Sequence, residues 1–312
     1  MDRWLRSHKT TRAAKFFDDT GHHTPIKLTT SIRQVVMTDK IKSMKLYNSV
    51  ERVYNELRAI GKLDSRDIQA EELYHFDQLH YHGTRSIERA IKKLKINEKS
   101  KILEIGSGLG GPARCIAQQT GASVTALEIQ ADHHRVAEDL TKRCNLDHLI
   151  HHVNEDFLQF TSECKFDALV SWLAIYHIPN RTKLLEISSK ILKPKGYFFT
   201  EDFALHKPLS DSETEDLRKN FYANHLVSYH DFEKEFTNSD FELLELQDTT
   251  QSWATFTEDR YNKFLEQKEE KIKIHGEETV SDILFFYSFA KDYLQSGKLG
   301  GVRLVATKKE EL

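Results

Sequence analysis

Cysteine is scarce. The 312 residues hold three, Cys115, Cys144 and Cys164. Three cysteines cannot build a disulfide framework, and none stands in C-x-x-C spacing, so a zinc ribbon is excluded too. A reducing, cytoplasmic setting is the simplest expectation. Long apolar runs are also missing: the longest, as around Ile283–Phe289, reach about half of the ~20 residues a membrane span needs. No excess of one charge exists, with 45 Lys and Arg against 48 Asp and Glu and a net charge of -3. That balance argues against a nucleic-acid footprint spread over the whole surface. What is present is globular: 39% hydrophobic, 30% charged and 10% aromatic residues, enough for one large domain or two small ones. Arg3, Arg6, Lys9, Arg12 and Lys15 face one acid, Asp2, which reads as a frayed helical terminus or, alternatively, a mitochondrial targeting segment. No apolar core of a secretory signal accompanies them.

Residues 1–97 read as helical, with glycine and proline confined to Gly21, Pro25, Gly61 and Gly83. Residues 39–60 carry one apolar stripe at helical spacing, and Thr84–Leu94 carries another. From Ser100 the pattern changes to strands alternating with helices. Strands are expected at Lys101–Ile105, Ser123–Ile129, His151–Asn154, Phe166–Trp172 and Gly196–Phe203. Helices are expected at Ala113–Gln119, Asp132–Cys144 and Arg181–Leu192. This alternation is that of βαβ units on a parallel sheet. Lys193-Pro194-Lys195-Gly196 marks a sharp helix-to-strand break. Farther on, Asp231–Phe236, Phe256–Lys273 and Val280–Leu294 read as helices, and Glu242–Asp248 and Gly301–Ala306 as strands.

The most informative segment is Glu104-Ile105-Gly106-Ser107-Gly108-Leu109-Gly110-Gly111-Pro112-Ala113-Arg114. A strand enters a glycine turn that opens a helix, so the backbone can approach a ligand and the helix N-terminus can meet it. Pro112 suits a first helical turn, where its missing N–H is not needed. Gly106-x-Gly108-x-x-Gly111 also has dinucleotide-fingerprint spacing. Three acids add to it. Glu104 lies inside the strand, where it can face the crevice and bind a cationic amino group. Glu128 ends the next strand, where a carboxylate can hold ribose hydroxyls. Asp156 ends the third, where it could accept a hydrogen bond from an exocyclic amine of adenine.

Together these residues resemble motif I and the following strands of class I S-adenosylmethionine-dependent methyltransferases. Asp156-Phe157 resembles their adenine-binding pair. Lys190–Gly196 resembles their "LKPGG" break, with Lys195 in place of a glycine. Asp77-Gln78-Leu79-His80, Gly83 and Gly108–Arg114 resemble the glycine/sarcosine/dimethylglycine and phosphoethanolamine N-methyltransferases and their sterol C-methyltransferase relatives. The resemblance implies a Rossmann-like α/β fold: a seven-stranded sheet in residues 98–312, an N-terminal helical lid in 1–97 and a helical cap insertion at about 251–298. It implies S-adenosylmethionine as cofactor and S-adenosylhomocysteine as product. Held against the cofactor would be Glu104, Gly106, Ser107, Gly108, Gly110, Glu128, Ile129, Asp156, Phe157 and Ser171, with Gln78 from the lid.

Methyl transfer from a sulfonium is an in-line displacement, so the enzyme mainly aligns donor and acceptor and excludes water. An amine acceptor must be neutral, which calls for a base. By resemblance to phosphoethanolamine methyltransferases, His177 and the lid residue Tyr74 are the catalytic candidates; those enzymes carry an Asp where Leu173 stands here. Tyr176, Glu201, Trp253 and Arg303 are the substrate candidates, Arg303 as an anion anchor. The expected acceptor is a small molecule, an amine nitrogen first, a sterol or other lipid-like carbon or oxygen as the alternative. A monomer or homodimer without nucleic-acid partners is expected. The paired histidines, His22-His23, His133-His134 and His151-His152, cannot share a helix or strand face. His80-x-His82 lacks a third ligand nearby, so no metal site is expected.

Overall fold

Strands that read as near-continuous apolar runs must be covered on both faces. The computed structural model, which describes residues 44–310, supplies that cover with helices. Before the sheet come α1 (Arg52–Ala59), α2 (Tyr74–Asp77) and α3 (Thr84–Leu94). Then β1 (Lys101–Ile105), α4 (Gly111–Thr120), β2 (Ser123–Glu128), α5 (Ala131–Arg143), β3 (Ile150–Asn154), β4 (Phe166–Trp172), α6 (Arg181–Ile191) and β5 (Leu192–Leu205) follow in order. After α7 (Asp211–Asn220) and α8 (Tyr229–Thr237), the chain forms β6 (Phe241–Asp248), α9 (Thr250–Glu266), α10 (Lys268–His275), α11 (Glu277–Gln295) and β7 (Leu299–Lys308).

The seven strands lie in the order β3-β2-β1-β4-β5-β7-β6. β1 to β5 pair in parallel, and β7 is antiparallel to both its neighbours. This is the expected methyltransferase-type sheet. Alternation sends successive side chains to opposite faces. Leu103, Leu169 and Phe198 enter one core, while Ile102, Ala168, Val170 and Phe199 enter the other. The strand order reverses between β1 and β4. A ligand crevice is therefore expected outside their carboxyl ends.

Local chemistry explains the element ends. Asn180 caps α6 by accepting from the Lys183 N–H at 3.0 Å. Ser210 and Glu213 form a reciprocal capping box on α7. That helix escaped the sequence reading, although Ser-x-x-Glu before it was the available signal. Three expectations need correction. The stripe over 39–60 breaks: a 3-10 turn at Lys45–Tyr47 is separated from α1 by a bend. The long helix expected over Phe256–Lys273 is α9 plus α10, parted at Gln267, whose φ -90 and ψ 7 leave the helical region. The break at Lys193–Gly196 is looped out within β5: pairing starts at Leu192 opposite Phe166 and resumes at Tyr197 opposite Ala168, with Lys195 at φ 61. The basic stretch Arg3–Lys15, His22-His23 and the start of the 39–60 stripe lie outside the described residues. Among the described residues no helix is long and apolar enough to cross a membrane.

Glu56 on α1 joins the N-terminal segment to the β6–β7 insertion. Its Oε1 accepts from Lys271 Nζ and meets His275 Nε2, each at 2.8 Å. Burial pushes this carboxyl up, but His275 and Lys271 overcome it and hold it down at about 2.

Candidate functional site

The turn after β1 is built to be narrow. Gly106 has φ 71, and a Cβ there would sit 2.4 Å from the Ala174 Cβ. At Gly111 a Cβ would come within 2.7 Å of the Asp77 backbone oxygen. The first glycine lets β1 turn beside β4, and the second lets the N-terminal segment lie against α4. Asp77 itself is fully buried and accepts from Arg114 Nη2 at 2.8 Å. Arg114 also donates to the Leu109 carbonyl at 2.7 Å and to Thr141 Oγ1 at 3.2 Å. A charge-assisted network thus locks segment, turn and helix together.

This frame surrounds a cavity at the carboxyl ends of β1, β2 and β4. Glu104 lines it with 2% exposure, and its Oε2 has no partner. Burial pushes that carboxyl well above its usual range, against the pull of Arg114. Glu128 lines the same cavity, its Oε2 accepting from the Gly108 N–H at 2.9 Å and its Oε1 from the Gln130 N–H at 2.8 Å. Asn154 pins the end of β2 by donating to the Glu128 carbonyl at 2.8 Å. Asp156 also lines the cavity, with Oδ1 accepting from the Leu158 N–H at 2.9 Å.

The other end of the cavity follows β4. The 3-10 turn Ile175–His177 is held by Asp202, whose Oδ2 accepts from the N–H groups of Ile175 and Tyr176 at 2.9 and 3.2 Å. Burial raises the Asp202 carboxyl to about 7, against the pull of Arg181. Asn224 donates to the His177 carbonyl at 2.9 Å. His177 Nδ1 lies 3.0 Å from the Tyr222 carbonyl oxygen. A carbonyl only accepts, so Nδ1 carries the proton and Nε2 keeps a lone pair. Nε2 is buried without a partner, in a residue that lines the cavity. Burial pushes this imidazole down to about 4, although the bond to Tyr222 raises it. It is neutral at pH 7.

The far wall comes from the N-terminal segment, β5 and the insertion: Met44, Leu46, Phe203, Phe286 and Ala290, with Arg260 as the one lysine or arginine among the described lining residues. Among the described residues no group of three His, Cys, Asp or Glu side chains is arranged for a metal ion.

Residues 78–246 match the methyltransferase domain family. The chain belongs to that family. It is 26% identical over 168 residues to a glycine/sarcosine/dimethylglycine N-methyltransferase of Actinopolyspora halophila, covering 54% of this chain and 30% of that protein. It is 27% identical over 199 residues to a phosphoethanolamine N-methyltransferase of Plasmodium falciparum, covering 62% of this chain and 73% of that protein. The chain thus spans under a third of the first relative and nearly three quarters of the second. Among solved structures, a cyclopropane synthase from Mycobacterium tuberculosis superposes with a TM-score of 0.68 at 16% identity, over 87% of this chain and 98% of that one.

Within this methyltransferase-family fold, the sequence candidates divide. Glu104, Gly106, Ser107, Gly108, Glu128, Ile129, Asp156, Phe157, Tyr176 and His177 converge on the cavity. Gln78 is buried in the segment beside it. Gly110 instead faces away: a Cβ there would meet Arg114 Nη1 at 2.9 Å. Ser171 donates to the Ile105 carbonyl at 3.0 Å, tying β4 to β1. Tyr74 is outside the lining, its hydroxyl donating to Gln118 at 3.0 Å. The N-terminal tyrosine that approaches His177 is Tyr47, with ring centroids 6.2 Å apart. Burial drives the Tyr47 hydroxyl upward, so it stays protonated.

The substrate candidates away from the loop after β4 also move. Register places Glu201 opposite Arg303, and Arg303 Nε donates to it at 2.6 Å. Ser86 donates to the same carboxylate at 2.7 Å. Neither side chain lines the cavity. Trp253 is fully buried, packed on Tyr81 at 4.5 Å and over Gly301. Sequence reasoning missed Tyr47, Arg260 and the Asp77–Arg114 pair. Only the pair left a signal, an arginine embedded in an otherwise uncharged first helical turn.

Proposed function

We propose that the protein transfers a methyl group from S-adenosylmethionine to a small molecule enclosed between the sheet and the β6–β7 insertion. The observation that carries this reading is one cavity lined by the buried Glu104, whose Oε2 has no partner, and by His177, whose Nε2 has none. S-adenosylmethionine supplies an activated methyl on a positively charged sulfur. Glu104 meets its ammonium group, Glu128 its ribose hydroxyls, and Asp156 with Phe157 its adenine. The glycine turn lets the backbone close on it. The N-terminal segment acts as a lid and α9 to α11 as a cap, which together exclude water.

The acceptor's lone pair attacks the methyl carbon, and the carbon–sulfur pair stays on sulfur. An amine nitrogen that loses a proton in this step can pass it to His177 Nε2, which is neutral and faces the cavity. Tyr47 and Tyr176 flank that imidazole. The amine reading is supported by the named substrates of the two relatives. A lipid-like carbon or oxygen acceptor is the second reading, favoured by the apolar wall of Met44, Leu46, Phe203 and Phe286. Leu173, in the same lining, stands where phosphoethanolamine enzymes carry an Asp and directs the site away from that substrate.

The test is incubation with methyl-labelled S-adenosylmethionine and glycine, sarcosine, dimethylglycine, phosphoethanolamine or a sterol, read by mass spectrometry. Label in an amine supports the first reading and label in the sterol the second. Failure to bind S-adenosylmethionine would sink the enzyme reading altogether.

A further inference from the structure

Charge is divided along the cavity. Every acid in its described lining, Asp77, Glu104, Glu128, Glu155 and Asp156, comes from the lid segment or the ends of β1, β2 and β3. That end suits the cationic methyl donor. The insertion end holds no carboxylate; it holds Arg260, on α9. Nothing on the cofactor side accounts for a cation there.

Arg260 is also held ready. Its Nη2 donates to the His80 carbonyl at 2.9 Å, which fixes the fork. Its guanidinium lies 4.6 Å from the Phe256 ring centroid, 5.6 Å from Tyr287 and 5.9 Å from Tyr81. Aromatic faces restrain a guanidinium without neutralising it. No described carboxylate forms an ion pair with it. Tyr287 and Thr257, in the same wall, bring hydroxyls. The rest of that end, Met44, Leu46, Phe286 and Ala290, is apolar.

We propose that Arg260 is the specificity-determining residue of the acceptor pocket and that the acceptor is an anionic amphiphile, with a carboxylate or phosphate on Arg260 and its apolar body against Met44, Leu46 and Phe286. This rests on the methyltransferase reading of the same cavity. It narrows either acceptor class: an amine would carry an acid group, and a lipid-like acceptor would carry an anionic head. Arg303, the anchor expected from the sequence, pairs with Glu201 and does not line this cavity, whereas Arg260 does.

The test is calorimetric titration of the whole protein, with and without S-adenosylhomocysteine, using decanoate, decyl phosphate, decanol and decyltrimethylammonium. A charge-assisted contact predicts that an anion binds roughly tenfold or more tightly than decanol. Preference for decanoate or decyl phosphate distinguishes a carboxylate from a phosphate. Arg260→Met should erase the preference, and Arg260→Lys should keep part of it. Both variants should bind S-adenosylhomocysteine as the wild type does, which reports an intact fold. Equal binding of decanol, tighter binding of the cation, no binding of either anion, or an anion preference that survives Arg260→Met would each overturn the proposal. Loss of S-adenosylhomocysteine binding by the wild type would sink the methyltransferase reading instead, since the titrations without it still read the anion preference.

Discussion

Asp77→Ala tests the lock that holds the N-terminal segment to the glycine turn. Both partners of the Asp77–Arg114 pair have fully buried side chains, 2.8 Å apart. Removing the carboxylate leaves a guanidinium in the interior with only neutral partners: the Leu109 and Ala137 carbonyls and Thr141 Oγ1. Breaking a buried pair from one side costs about 3–5 kcal/mol. At about 2.1 cal/mol/K of unfolding entropy per residue, a chain of this length loses roughly 1.5 °C per kcal/mol. The expected drop in Tm is therefore about 5–8 °C. Asp77 also packs over Gly111 at the start of α4, so S-adenosylhomocysteine affinity should fall with stability. Scanning calorimetry and titration calorimetry read the two effects. The double variant Asp77→Leu, Arg114→Met should recover much of the lost stability, because it removes the stranded charge. A Tm change under about 2 °C in Asp77→Ala would refute the lock. So would a double variant no better than the single one.

Three other outcomes are expected. Glu128→Ala should cut S-adenosylmethionine affinity at least tenfold by titration calorimetry, the loss of a charged hydrogen-bonding group; unchanged affinity would remove it from the ribose. His177→Ala should lower turnover by about a hundredfold with cofactor affinity intact, the usual scale of general-base catalysis. Because burial places this imidazole at about 4, the wild-type rate should lose a proton-dependent limb only as pH falls through about 4, and His177→Ala should lack it. Wild-type turnover in that variant would reassign the residue to structure. Glu56 is depressed in the folded protein, so its contribution is present above the ordinary carboxylate pKa and lost as pH falls toward about 2. Glu56→Gln should cost about 1 kcal/mol near neutrality after solvent screening. Melts at stepped pH should show that difference closing between about pH 4.5 and 2; a constant difference would mean the clamp is not ionic.

The sheet was legible because its signals are local. An apolar run such as Phe166–Trp172 has one period, one length and no alternative partner face, so its bounds needed no tertiary knowledge. The convergence of Glu104, Gly106, Gly108, Glu128 and Asp156 on one cavity was legible for the same reason: they sit at or just beyond strand ends, and parallel strands bring their carboxyl ends to one edge. The insertion was only half legible. Its helices showed in Val280–Leu294, but which of their side chains face the chamber depends on how they lie on β7. Trp253 illustrates this: its size marks it for burial, and the structure buries it against Tyr81 and Gly301 rather than in the cavity.

By itself the sequence determined the family, the βα order and the acid–glycine turn, since each rests on residue type and spacing along one stretch of chain. Only the tertiary structure decided which residues line the far end of the cavity. Glu201 and Arg303 are 102 residues apart and look like two free charges until antiparallel register sets them face to face. Tyr74 and Tyr47 both lie in the segment before the sheet, and only the fold brings the second toward His177. Arg260 is one arginine among many on an amphipathic helix until the fold leaves it facing a cavity whose acids all lie at the other end. Pairing across the chain is a sum of packing and electrostatic choices made at a distance, and no local pattern records it.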